Sequence, residues 1–118
     1  MSRDDAYLKD ILVAAEAIHR FTEGVSLEAF KANEEKHEAV NRKFEIIGEA
    51  ARRLTPATRD RFPDIPWKLV TAMRNILIHD YDDVDLDIVW NTAKQEIPAL
   101  ISQITAYLNA RPTSTSGA

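Results

Sequence analysis

The residues best equipped for chemistry are gathered in Arg74-Asn75-Ile76-Leu77-Ile78-His79-Asp80-Tyr81, followed by an acidic turn with Asp82, Asp83, Asp85 and Asp87. An apolar helix rarely carries a permanent cation, an amide, an imidazole and a phenol within two turns unless something uses them. Each helical residue advances by about 100°, so Asn75 and His79 stand one above the other at i,i+4, with Arg74 on the flank of that stripe. Met73, Ile76, Leu77 and Ile78 take much of the remaining circumference, as in a helix with little free surface. The polar stripe is therefore expected to open into a groove or a subunit interface. Arginine supplies a charge that survives any working pH and a fork matched to phosphate. Histidine supplies a proton donor or acceptor near neutrality. Together they point to phosphodiester chemistry.

Helices must position these groups, because the pattern is helical throughout. Ser2 with Asp5 reads as a capping box that opens a helix to about Glu23, with Gly24 as its stop. Its apolar stripe is Tyr7/Leu8, Ile11, Ala14/Ala15, Ile18 and Phe21/Thr22. Ser26 caps a short segment holding Leu27 and Phe30. A long helix follows from about Asn33 to Leu54, with Val40, Phe44, Ile47, Ala51 and Leu54 at helical spacing. Gly48 costs that helix stability, and close approach of a neighbouring helix is the expected compensation. Thr55-Pro56 gives a cap and a proline at the first helical position, starting a short turn that Pro63 ends. Asp64 to Pro66 starts the motif helix in the same way. Asp85 caps a last helix running to about Asn109, kinked by Pro98 near Gln95–Ile97. The polar stretch 111–118 has nothing to bury and reads as a disordered tail. The expected fold class is all-α: one domain over residues 1–110, built as a four- to five-helix up-and-down bundle.

Composition narrows the possible roles. A chain of 118 residues makes one domain. With no cysteine there is no disulfide framework and no thiolate metal site. No apolar run approaches a signal-peptide core or a membrane span, so a cytoplasmic location is expected. A net charge of -4 argues against a general nucleic-acid coating protein. The charge is unevenly spread, however. Residues 42–74 hold the bases Arg42, Lys43, Arg52, Arg53, Arg59, Arg61, Lys68 and Arg74 against the acids Glu45, Glu49, Asp60 and Asp64. Residues 75–97 reverse the sign, with Lys94 as their single base. Such asymmetry either steers a polyanion to one side of the molecule or reflects two solvated faces. Trp67 and Trp90 flank the motif, and packing is the favoured role for both over base stacking.

Arginine, four residues, histidine, one residue and tyrosine resembles the signature of HepT-like toxins of the HEPN superfamily. Further blocks carry the likeness: Glu45-Ile46-Ile47-Gly48-Glu49-Ala50-Ala51-Arg52-Arg53-Leu54, Asp64-Ile65-Pro66-Trp67, and Asp82 through Trp90. They occur in order over roughly residues 4–108. Asp80 departs from the family pattern, which has glycine after the histidine in many members, so the turn here is expected to be less flexible. The resemblance implies a HEPN-like bundle and metal-independent RNA cleavage, with no cofactor and no metal. The RNA 2′-hydroxyl would attack its own phosphate and leave a 2′,3′-cyclic phosphate and a 5′-hydroxyl. His79 would act as general base or acid, Arg74 would hold the scissile phosphate, and Asn75 would orient the imidazole or the phosphate. Tyr81 would accept AMP from a partner nucleotidyltransferase, the MntA-like antitoxin of a type VII-like toxin–antitoxin pair. At i+7 from Arg74, an adduct there would fill the phosphate site with charge and bulk. Asp82, Asp83 and Asp85 either meet basic surface on that partner or cap the next helix, and capping is favoured. A homodimer through the motif-helix region, open to higher hetero-oligomers, would bring two Arg–His sets into one cleft.

Three other readings compete. Glu16-x-x-His19 and Glu34-x-x-His37 have the Glu-x-x-His spacing of di-iron bundles. Both glutamates, though, point away from the core stripes of their helices, and bundle-core ligands must face inward. The run Asp80, Asp82, Asp83, Asp85 lacks the glycine and the bidentate glutamate of a calcium loop. A nucleotide-binding ATPase or kinase would need a glycine-rich phosphate loop, and the 3 glycines form none. The serious alternative is a catalytically silent HEPN-like dimer that binds a nucleotidyltransferase. Net acidity leans toward that module, while the intact Arg74 and His79 lean toward the enzyme.

Overall fold

The computed structural model describes residues 2–79 and 85–110, without the side chains of residues 74–76, 78 and 79. The described residues form seven helices: α1 (Arg3–Thr22), α2 (Leu27–Ala32), α3 (Glu34–Arg53), α4 (Pro56–Arg59), α5 (Trp67–His79), α6 (Leu86–Gln95) and α7 (Ile97–Ala110). Four of them, α1, α3, α5 and α7, make the up-and-down bundle. The short α2, α4 and α6 close its ends. The expected polar tail lies outside the described residues.

Side-chain caps set the starts of α1, α2, α3, α4 and α6. Ser2 accepts from the Asp5 amide at 3.0 Å, Ser26 from Ala29 at 3.1 Å and Asn33 from Lys36 at 3.0 Å. These oxygens satisfy donors that have no partner within the helix. Gly24 follows the end of α1 with φ 71, the left-handed conformation that glycine adopts without steric cost.

Antiparallel pairing follows from cross-helix contacts. Asp4, at the start of α1, accepts from both Thr55 and Thr58 at the start of α4, the Thr58 hydroxyl lying at 2.6 Å. At the other end of α1, Lys36 donates to the Phe21 carbonyl at 3.0 Å. Thus α3 runs back along α1, and its other flank packs on α5. Beyond α5, Lys94 reaches the Thr22 carbonyl at 3.4 Å, and α7 then descends beside α1 until Tyr107 meets Phe62 edge-on at 5.2 Å. The core is one continuous cluster. Leu8, Ile11, Ala15, Ile18, Val40, Phe44, Ile47, Ala51, Leu54, Met73, Leu77, Val89, Leu100 and Ile104 are all buried in it. A fully buried large side chain of this kind contributes about 1.5–3 kcal/mol, so the bundle does not depend on any surface ion pair.

The last helix differs from the single kinked rod that Pro98 implies. It separates at Glu96 into α6 and α7, with Glu96 at φ -105 and ψ -34. Proline at 98 cannot donate to the Lys94 carbonyl, and its ring collides with that carbonyl in a continuous helix. Glu96 instead ends α6 by donating to Thr92 at 2.9 Å and begins α7 by accepting from Leu100 at 3.1 Å. The two tryptophans pack as expected. Trp90 lies 5.1 Å from Phe30 between ring centroids, and the Trp67 indole donates to the Arg59 carbonyl at 3.0 Å.

Candidate active site

Helix α5 carries Arg74, Asn75 and His79 within Trp67–His79, and its register is set by what it buries. Val70, Met73 and Leu77 form its core stripe at spacings of three and four. On ideal geometry Asn75 and His79 occupy positions roughly opposite that stripe, and Arg74 a position on its edge. Lys68 and Ala72 complete the outer row, since 68, 72, 75 and 79 repeat at four, three and four. The expected polar stripe is therefore one row of helix positions away from the core. Asp80 and Tyr81, the acceptor expected for AMP, lie outside the described residues, as do Asp82 and Asp83.

Hollows lined by described residues separate much of the basic block of residues 42–74. One, of about 320 Å³, lies between α1 and α3 and is lined by Tyr7, Asp10, Arg42, Glu45, Ile46, Glu49, Ala50 and Arg53. Its charges are largely matched within the wall: Arg42 lies 3.7 Å from Glu45, and Arg53 donates to Glu49 at 3.2 Å. Another, of about 550 Å³, is a groove lined by Arg52, Arg59, Lys68, Thr71 and Ala72. It joins the end of α3 to the outer row of α5. None of the described residues that line it is an acid. Five of the bases in that block thus fall to one largely neutralised hollow (Arg42 and Arg53) and one basic groove (Arg52, Arg59 and Lys68). Sequence reading saw the basic block but could not sort it, because the sorting depends on the antiparallel register of α3 against α5.

Buried polar atoms on α3 also escaped the sequence reading. His37 Nδ1 and Asn41 Oδ1 are shielded from solvent without a hydrogen-bond partner among the described residues. They stand at i,i+4 on the first half of α3, where the His37 ring meets Phe30 of α2 edge-on at 6.0 Å. A polar pair of this kind leaves little periodic signal in the sequence.

The acidic turn is already partly engaged. Asp85 caps α6, accepting from Asp87 at 2.9 Å and Ile88 at 3.4 Å, which is the favoured capping role. Asp87 pairs with Lys31 at 3.1 Å, tying α6 to α2. Glu16, His19 and Glu34 are exposed, as their helical positions require of residues off the core stripes. No helix among the described residues is long and apolar enough to cross a membrane.

The family model described as ribonuclease HepT-like matches residues 11–107, which includes all of α3 and α5. The chain belongs to this HepT-like ribonuclease family. It is 38% identical over 106 residues to a candidate RNase of Methanocaldococcus jannaschii, covering 88% of this chain and 97% of that one. A protein of Thermococcus cleftensis described as a probable ribonuclease HepT is 40% identical over 94 residues, covering 80% of this chain and 86% of its own. A candidate RNase of Caldanaerobacter subterraneus is 37% identical over 102 residues, covering 86% and 91%. No solved structure matches the chain significantly. Within the HepT-like frame, Arg74, Asn75 and His79 belong to the matched region, on the helix whose opposite side is the core.

Proposed function

We propose that this HepT-like protein is a metal-independent endoribonuclease that acts as the toxin of a toxin–antitoxin pair. The observation that carries the reading is a conjunction. The chain belongs to a ribonuclease family through the region that holds Arg74, Asn75 and His79, and positions 75 and 79 lie opposite the buried stripe of α5 with position 74 on its edge. The 2′-oxygen attacks the adjacent phosphorus while the bond to the 5′-oxygen breaks. A base removes the 2′-hydroxyl proton, and an acid supplies one to the departing 5′-oxygen. His79 performs one of these transfers, a role worth about 10²–10⁴-fold. Arg74 holds the phosphate and stabilises the charge that grows on its oxygens. Asn75 orients the imidazole or the phosphate. A two-fold homodimer through the α5 region would set a second Arg–His pair in the same cleft and so provide both acid and base.

Silencing is assigned to Tyr81. Its phenolic oxygen attacks the α-phosphorus of ATP on a partner nucleotidyltransferase and pyrophosphate leaves. The attached adenylyl group then competes with RNA for Arg74. Cleavage of RNA in excess chelator by the purified protein, with Arg74→Ala and His79→Ala beside it, tests the reading. The alternative of a silent dimeric interaction module is favoured by net acidity alone and predicts intact RNA from all three folded proteins.

A further inference from the structure

The basic groove is well placed for a second role, and its chemistry is simple. Arg59 and Lys68 make no ion pair with any described residue. Arg52 lies 3.7 Å from Glu49, but both side chains are substantially exposed, at 55% and 38%, and such pairs are weak. Glu49 also keeps Arg53 at 3.2 Å, so Arg52 can turn to another anion without stranding the carboxylate. The Thr71 hydroxyl already donates to the Trp67 carbonyl at 3.0 Å. The donors that remain for a ligand are therefore the three cations, brought to one groove of about 550 Å³ from the end of α3, the end of α4 and the start of α5. Three cations from three elements suit several phosphates of a polyanionic strand.

Position favours the strand. Ala72 in the groove wall and Asn75 are less than one turn apart on the same row of α5, and Lys68 lies about 16 Å from His79 along the axis. The neutralised hollow between α1 and α3 offers a polyanion no such path, since Asp10, Glu45 and Glu49 line it. We propose that Arg52, Arg59 and Lys68 form an RNA-backbone subsite that holds phosphates flanking the one cut at Arg74 and His79. The inference rests on the ribonuclease reading for the identity of the strand. It adds that the substrate is single-stranded RNA several nucleotides long, gripped through its backbone without regard to sequence.

The test separates binding from cutting. In a His79→Ala background, a labelled single-stranded oligoribonucleotide is titrated by fluorescence anisotropy between about 50 and 200 mM salt. Arg52→Gln/Arg59→Gln/Lys68→Gln is expected to raise Kd roughly 10- to 100-fold and to lower the slope of log affinity against log salt by about 2, three contacts at about 0.7 each. The charge-matched Lys9→Gln/Arg20→Gln/Arg42→Gln is expected to keep its slope. If the triple variant does not fold, Arg59→Gln and Lys68→Gln singly should each lower the slope by about 0.7. Unchanged affinity and slope in folded groove variants, or an equal loss in the charge-matched control, would overturn the subsite. Wild type that binds RNA through the groove yet cuts none would overturn the nuclease reading instead and leave the subsite standing.

Discussion

Met73 and Leu77 lie one turn apart on the core side of α5, 0% and 2% exposed, and this pair fixes the register of the candidate site. With that stripe held against the bundle, positions 75 and 79 fall on the other side of the helix. Truncating either core residue should leave a cavity. Met73→Ala or Leu77→Ala is expected to cost about 2–5 kcal/mol, read from urea midpoints. His79→Ala should stay within about 0.5 kcal/mol of wild type. Comparable losses at 73 and 79 would mean that the two sides of α5 are not distinct.

Acid sensitivity is expected at the junction of α1 and α4. Hydrogen bonds from the Thr55 side chain first, then from Thr58, hold the Asp4 carboxyl below its ordinary value of 3.8, against a smaller opposing effect of burial. A lowered folded-state value stabilises the fold above the unfolded value and is lost as pH falls through the folded one. The stability gap between wild type and Asp4→Ala should therefore be full at neutral pH and close below 3.8. Denaturant midpoints across that range check it, and a gap independent of pH would contradict it.

Trp67 ties α5 to α4 through its indole, which donates to the Arg59 carbonyl at 3.0 Å. Trp67→Phe keeps the edge contact with Phe62 but removes the indole donor, leaving the Arg59 carbonyl with only its 3.0 Å bond from the Phe62 amide. The expected cost is about 0.5–1.5 kcal/mol, measured by thermal or urea unfolding. A neutral result would show that solvent replaces the bond.

Tyr81 should gain one adenylyl group when the purified protein is mixed with its partner nucleotidyltransferase and ATP. Intact mass and peptide mapping read the adduct. Tyr81→Phe should remain unmodified and keep its RNA cleavage in the presence of the partner. Modification at another residue, or none, would remove the silencing mechanism.

Much of the fold could be read from spacing and caps. Val40, Phe44, Ile47, Ala51 and Leu54 repeat at helical intervals and are buried. Ser2, Ser26, Asn33, Thr55 and Asp85 cap the helices that their positions announce. Local chemistry sets these features, so a single segment reveals them. The break at Glu96 was only half legible. Pro98 forbids a regular helix, but whether the chain bends or separates depends on how α6 and α7 pack against α1. Arg74, Asn75 and His79 stood out by residue type in an apolar helix. The groove of Arg52, Arg59 and Lys68 did not, because it exists only once α3 and α5 lie side by side. For the same reason the shielding of His37 Nδ1 and Asn41 Oδ1 shows only in the folded bundle.

RNA cleavage in excess chelator tests the central claim most directly, with wild type, Arg74→Ala and His79→Ala assayed side by side after intact mass has excluded a Tyr81 adduct. Wild type should cut and leave 2′,3′-cyclic phosphate and 5′-hydroxyl ends, and each substitution should lower the rate at least about 10²-fold. Intact RNA from folded, unmodified wild type, or cleavage that survives both substitutions, would contradict the account.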